Sequence, residues 1–180
     1  MYYRFTLSLL ANGLFLMLSF LMFTGTAQAN SYVEASFGIA QMNSSNEELD
    51  SNEFAPYRIY YGYSIAEGVY LETGYLAGDN FDNESQNDFE LDSMFINIKG
   101  LFLLNNNYAI FAKFGTSVYQ YELQNDDDTV SIERGLGYSV STGWEFVLEN
   151  RHILVGLEYE NSNSVRMETN IIHGNVQYRF

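Results

Sequence analysis

From about residue 32 to Phe180 this chain alternates apolar and polar side chains with a period of two, in one segment after another. Successive side chains of a β-strand point to opposite faces, so the pattern specifies strands with one apolar and one polar side. Residues 32–40 set Val33, Ala35, Phe37 and Ile39 against Glu34, Ser36 and Gly38. Residues 55–65 set Ala55, Tyr57, Ile59, Tyr61, Tyr63 and Ile65 against Arg58, Tyr60, Gly62 and Ser64. A tight Ala66-Glu67-Gly68 turn leads to a third segment, with Val69, Leu71, Thr73 and Tyr75 opposite Tyr70, Glu72 and Gly74. Five more follow the same rule: residues 93–103 with Lys99 on the polar face, 110–118 with Lys113, 133–146 with Glu145, 153–160 with Glu158 and Glu160, and 172–180 with His173 and Arg179.

No segment after residue 29 approaches the ~18 uninterrupted apolar residues of a membrane helix, so any crossing of a bilayer falls to strands. The 15 tyrosines and 14 phenylalanines also suit strands better than helices. With 180 residues, one proline and no cysteine, the chain has room for one domain, without disulfide staples, thiolate metal sites or a thiol nucleophile. The net charge of −15 argues against a nucleic-acid partner, because phosphate binding needs the opposite sign.

The first 29 residues read as a cleaved export signal. Arg4 supplies the positive start, Leu7 through Phe23 is almost wholly apolar, and Ala27-Gln28-Ala29 gives the small-x-small cleavage pattern, so the mature domain is expected at 30–180. A retained anchor fits less well, since Ser8, Asn12, Gly13 and Ser19 interrupt the apolar run.

The eight segments are joined alternately by short turns, near 66–68, 104–107 and 147–151, and by longer polar stretches, near 41–53, 77–91 and 122–132. The fourth connection on the long side, around Asn161 to Val165, is short. This asymmetry predicts an all-β, eight-stranded antiparallel up-and-down transmembrane barrel with short periplasmic turns and longer outer loops. The long stretches hold Glu47, Glu48, Asp50, Glu53, Asp79, Asp82, Glu84, Asp88, Glu90, Asp92, Glu122, Asp126, Asp127 and Asp128, and read as solvated external loops.

Orientation follows from charge. The apolar faces carry almost no ionisable group, whereas the polar faces carry Glu34, Glu72, Glu145, Glu158 and Glu160 in near balance with Arg58, Lys99, Lys113 and Arg179. The expectation is apolar faces toward lipid and a closed polar lumen in which the charges pair, Glu34 with Arg179 and Glu72 with Lys99, because buried charges persist only when paired. The opposite arrangement, a water-soluble lipocalin-like barrel with these charges in solvent, is the competing reading.

The last strand ends in Tyr178-Arg179-Phe180, with Val176, Gly174 and Ile172 continuing the aromatic face. This resembles the C-terminal insertion signal recognised by the outer-membrane barrel assembly machinery, with Val176, Tyr178 and Phe180 as its residues. The usual glycine five positions before the last aromatic is here Asn175, with glycine at Gly174. The stretches VYLETGYLAG (69–78), NIKGLFLLNNNYAIFAKFGTSV (97–118) and GLGYSVSTGWEFVLENRHILVGLEYE (135–160) resemble the small outer-membrane barrels of the OmpA transmembrane-domain and opacity types. The resemblance implies a Gram-negative outer-membrane location and specifies architecture, not activity.

The search for chemistry returns no catalytic, cofactor or metal site. Outer-membrane lipid A deacylases use a His-x-Ser pair, and neither His152-Ile153-Leu154 nor His173-Gly174-Asn175 has that serine. The glycines alternate along strands and form no phosphate loop, and Asp79-Asn80-Phe81-Asp82-Asn83-Glu84 lacks the EF-hand glycine and spacing. The expectation is a non-enzymatic surface protein that contacts outer-membrane lipid and lipopolysaccharide, meets the assembly machinery during biogenesis and displays acidic loops to an extracellular partner. Nothing in the sequence calls for more than a monomer. An adhesin or host-interaction role of the opacity type is the alternative, ahead of a lipid-modifying enzyme or a soluble ligand binder.

Overall fold

The computed structural model describes residues 31–44, 52–80, 88–124, 130–148, 152–164 and 167–180. They form β1 (Ser31–Ser44), β2 (Asn52–Ala66), β3 (Val69–Asn80), β4 (Asp88–Leu103), β5 (Tyr108–Gln124), β6 (Val130–Val147), β7 (Ile153–Ser164) and β8 (Met167–Arg179). Each strand pairs antiparallel with the next, and β1 pairs with β8, so the sheet closes into an eight-stranded barrel without edges. Closure satisfies the backbone of every strand within the barrel, a requirement for a sheet placed in hydrocarbon.

The short turns explain the register. Gly68 takes a φ of 69°, and a Cβ there would sit 2.9 Å from the Leu101 carbonyl oxygen, so glycine both bends the chain and lets β4 approach. At the next short turn Asn105 Oδ1 accepts from the backbone N–H groups of Asn107 (2.8 Å) and Tyr108 (2.9 Å), a side chain standing in for a backbone turn.

The apolar faces point outward. Phe37 and Leu136 are each 72% exposed, Tyr138 is 52% and Trp144 44%, on a surface that a soluble domain would bury. The belt begins near the short turns with Tyr63, Phe102, Tyr108, Trp144, Tyr178 and Phe180 and gives way to polar side chains on the loop side of seven strands. There the outward positions change from Ile39 to Gln41, from Ala55 to Glu53, from Met94 to Asp92, from Val118 to Gln120, from Leu136 to Arg134, from Tyr159 to Asn161 and from Ile172 to Asn170. Tyr57, Tyr75, Tyr138 and Tyr159 lie close below this polar collar, and Tyr75 and Tyr159 donate their hydroxyls to Asp92 and Asn170 respectively. An apolar band with aromatic rings at both margins matches the lipid-facing surface of an outer-membrane barrel.

The strands are longer than the alternation suggested, and the long connections correspondingly shorter. Residues assigned to loops, Glu53, Asp79, Asp88, Glu90, Asp92 and Glu122, lie on strands, as do Asn161 to Ser164. Backbone pairing continues past the point where outward side chains stop being apolar, since Glu90 still faces Glu122 across the β4–β5 ladder. The proposed leader and Glu47, Glu48, Asp50, Asp82, Glu84, Asp126, Asp127 and Asp128 lie outside the described residues.

The interior is layered. Charged side chains occupy the half nearer the short turns. The other half is lined by Ala40, Met42, Phe54, Leu76, Leu91, Phe95, Tyr119, Tyr121 and Ile171, all 9% exposed or less. The expected wholly polar lumen is therefore corrected: its loop-side half is largely apolar, with Ser93, Asn97 and Thr169 among the packing side chains. The physical reason is that strand parity fixes only which face points inward, and beyond the ion pairs the inward positions are filled by packing side chains.

Candidate functional site

The feature with the most chemistry is the ion-pair layer across the lumen. It is built by inward positions of β1 to β8 and contains every charged residue that the alternation placed inside.

Arg58 of β2 lies 3% exposed, with Nη2 2.9 Å from Glu158 Oε2, Nη1 2.5 Å from Glu160 Oε2 and Nε donating to Ser36 Oγ at 3.2 Å. All three guanidinium nitrogens thus have partners, the condition for burying arginine. Lys113 of β5 lies 3.0 Å from Glu158 Oε2 and donates to the Tyr60 hydroxyl at 2.7 Å. It is also 3.3 Å from Glu72 Oε2, off the hydrogen-bonding direction, so that contact is electrostatic only. Lys99 of β4 donates to Glu145 and lies 3.9 Å from Glu72 Oε1.

Two tyrosines that sequence reasoning gave no role complete the layer. The Tyr32 hydroxyl donates to Glu72 and the Tyr60 hydroxyl to Glu34. Their rings also carry the cations: Lys99 Nζ is 5.1 Å from the Tyr32 ring centroid and 4.5 Å from Phe111, and Lys113 Nζ is 4.6 Å from Tyr60. Tyr32 can lie flat across the lumen only because Gly62 opposes it, since a Cβ there would stand 2.2 Å from the ring. The usable signal in the sequence was parity, which puts Tyr32 and Tyr60 on the same faces as Glu34 and Arg58.

Of the two pairs expected across neighbouring strands, Glu72 and Lys99 stand together as described. Arg179 does not reach Glu34: its Nη2 lies 3.4 Å from Glu145 Oε2, with its side chain 27% exposed at the rim. Register explains the change, because Glu34 faces Gln177 and Arg179 faces Tyr32. With the Gln177 amide turned to suit both neighbours, its nitrogen donates to Glu34 Oε2 at 3.0 Å and its oxygen accepts from Arg179 Nε at 2.8 Å. Gln177 therefore relays between the two residues.

His173 is wholly buried, 3.8 Å from Glu160 Oε2, and neither ring nitrogen has a hydrogen-bond partner. His152 sits at the rim, where its Nδ1 is 3.1 Å from the Arg179 carbonyl and its ring stacks on Tyr178. His152, just before β7, and His173, on β8, thus stand at different levels of the barrel. Ile172, Val176 and Tyr178 of β8 and Phe180 just after it are all exposed, between 48% and 61%.

Such a layer can hold the barrel shut and rigid. Neighbouring ion pairs share Glu72 and Glu158, and aromatic rings lie against the cations, so the charged groups interlock across the lumen.

Comparison with known proteins agrees with this geometry. Solved structures with the same fold include Neisserial surface protein A, NspA, at 20% identity and a TM-score of 0.72, covering 83% of this chain and 97% of that one. The attachment invasion locus protein Ail of Yersinia pestis matches at 12% identity and a TM-score of 0.64, covering 86% and 100%. The N-terminal β-barrel domain of Pseudomonas aeruginosa OprF matches at 12% identity and 0.57, covering 84% and 100%. No curated protein sequence matches the chain. A model of the outer membrane protein beta-barrel domain matches residues 13–180, and the chain belongs to that family.

Proposed function

We propose that this protein is exported to the outer membrane of a Gram-negative cell and serves there as a non-enzymatic barrel that holds acidic outer segments above the lipid. The observation that carries the reading is the combination of an outward apolar belt with a lumen whose turn-side half is filled by mutually paired charges. Such a cylinder has hydrocarbon as its natural exterior and no interior space for a wide pore. The acidic collar, with Glu53, Asp92 and Glu122 on strands above the belt, suits divalent cations bridging to lipopolysaccharide phosphates. On this reading the barrel assembly machinery takes up the chain through Val176, Tyr178 and Phe180.

An adhesin role uses the same platform. The strands rise past the belt and so lift the segments they carry away from the headgroups, as surface recognition requires. Fractionation tests the main reading: the protein should need detergent for extraction, run with heat-modifiable mobility in gels and resist osmotic-shock release. Release with the periplasmic contents would refute it. Cell-attachment assays after removal of residues 45–51, 81–87 and 125–129 separate the readings, because unchanged attachment eliminates the adhesin.

A further inference from the structure

We propose that the outer surface of β7 and β8 carries a recognition site for the saccharide headgroup of an outer-leaflet glycolipid, an inference that deepens the outer-membrane reading and rests on it. On β6 the exposed outward positions stay in the belt from Trp144 through Val140 and Tyr138 to Leu136. On β7 the apolar outward run stops at Tyr159, and Asn161 and Asn163 follow. Register sets Asn161 beside Val140 and Asn163 beside Tyr138, so both amides lie alongside the belt of the neighbouring strand, with Leu136 still farther toward the loops. On β8 the polar patch continues with Asn170, opposite Asn161, and Glu168, opposite Asn163. Hydrocarbon supplies no hydrogen bonds, so polar side chains at this depth need a polar partner.

The hydrogen bonds of the patch select that partner. Asn161 Nδ2 donates to Glu168 Oε1 at 2.8 Å and to Asn170 Oδ1 at 2.9 Å, and the Tyr159 hydroxyl donates to the same Asn170 oxygen at 2.7 Å. Among the described residues these contacts engage the nitrogen of Asn161 and the oxygen of Asn170. They leave an acceptor on the first amide and donors on the second, on directly paired residues of neighbouring strands. An acceptor beside a donor complements a hydroxyl group, which both gives and takes hydrogen bonds, whereas an ionised phosphate only accepts and an ammonium only donates. The exposed Glu168 carboxylate also repels a phosphate. Tyr138 and Tyr159, 52% and 48% exposed, place aromatic rings beside the amides, and Val140 and Ile172 leave an apolar surface below for the acyl chains.

The test is amide NMR of the full chain in dodecylphosphocholine micelles, titrated with dodecyl maltoside or with dodecyldimethylamine oxide, which shares the alkyl chain but only accepts hydrogen bonds. Maltoside should shift the side-chain amides of Asn161 and Asn170 and the backbone amides of Tyr138 and Tyr159 saturably. Those shifts should be at least about threefold larger than the amine oxide produces, and larger by the same factor than those of the Asp92 and Gln120 backbone amides across the barrel. Asn161→Leu combined with Asn170→Leu should remove the response at Tyr138 and Tyr159. Heat-modifiable mobility shows whether that variant has folded, and the comparison of the two additives on the unaltered protein stands without it. Equal responses to both additives, maltoside shifts spread evenly round the collar, or an undiminished response in the folded double variant would each overturn the site. Fractionation separates the two failures: release by osmotic shock refutes the outer-membrane reading and this site with it, whereas a detergent-requiring barrel without a maltoside preference refutes this site alone.

Discussion

Glu158 shows how the lumen works at the scale of one residue. Its Oε2 meets Arg58 at 2.9 Å, Lys113 at 3.0 Å and Asn175 Nδ2 at 3.1 Å, so one oxygen neutralises and orients groups from β2, β5 and β8. Replacing Glu158 by Gln leaves those cations short of a partner in a dry interior, and such a loss costs about 3–5 kcal/mol. Arg179→Ala removes a partly exposed rim pair and should cost about 0–1 kcal/mol. Urea unfolding of both variants in micelles measures the difference, and equal losses would show that burial does not grade the network. A second residue-scale expectation concerns Gly62: a methyl group there would displace the Tyr32 ring, and Gly62→Ala should lower stability by about 1–3 kcal/mol in the same assay. Alternation alone made the inward charges legible, because parity needs no partner. Which cation meets which carboxylate was not legible, since that depends on stagger between strands: Arg179 takes Glu145, not Glu34.

Strands behave as rods with a lipid-facing middle and a water-facing end. On β6 the outward positions run from Phe146 and Trp144 through Val140 to Leu136, then change to Arg134. Val140 lies in the middle of that run and Ile132 beyond the collar. Val140→Arg should destabilise the membrane-embedded barrel by about 2–4 kcal/mol, and Ile132→Arg by about 0–1 kcal/mol, measured by reversible unfolding in lipid vesicles. Similar costs at the two positions would contradict the assigned belt. On β8 the exposed aromatic at the terminus belongs to the proposed insertion signal, so deletion of Phe180 should reduce outer-membrane yield with little effect on the stability of protein folded in vitro. The strand ends were misjudged from the sequence for a physical reason: apolar alternation reports contact with hydrocarbon, whereas backbone pairing continues into water as long as two strands stay in register.

As a whole molecule the barrel is closed at its middle, where Arg58, Lys99 and Lys113 and their carboxylates span the lumen beneath the apolar half. In planar bilayers it should show no discrete open-channel steps, and regular steps from the purified protein would show that the layer parts. The sequence by itself determined the strand count, the antiparallel order, the outward belt and the set of enclosed charges, because each follows from period-two geometry and from the need of every strand face to meet either lipid or protein. Only the tertiary structure decided the pairings, the seats of Tyr32 and Tyr60, and the largely apolar packing of the loop-side half. Those depend on how far each strand is staggered when the cylinder closes, and stagger arises from all eight strands together.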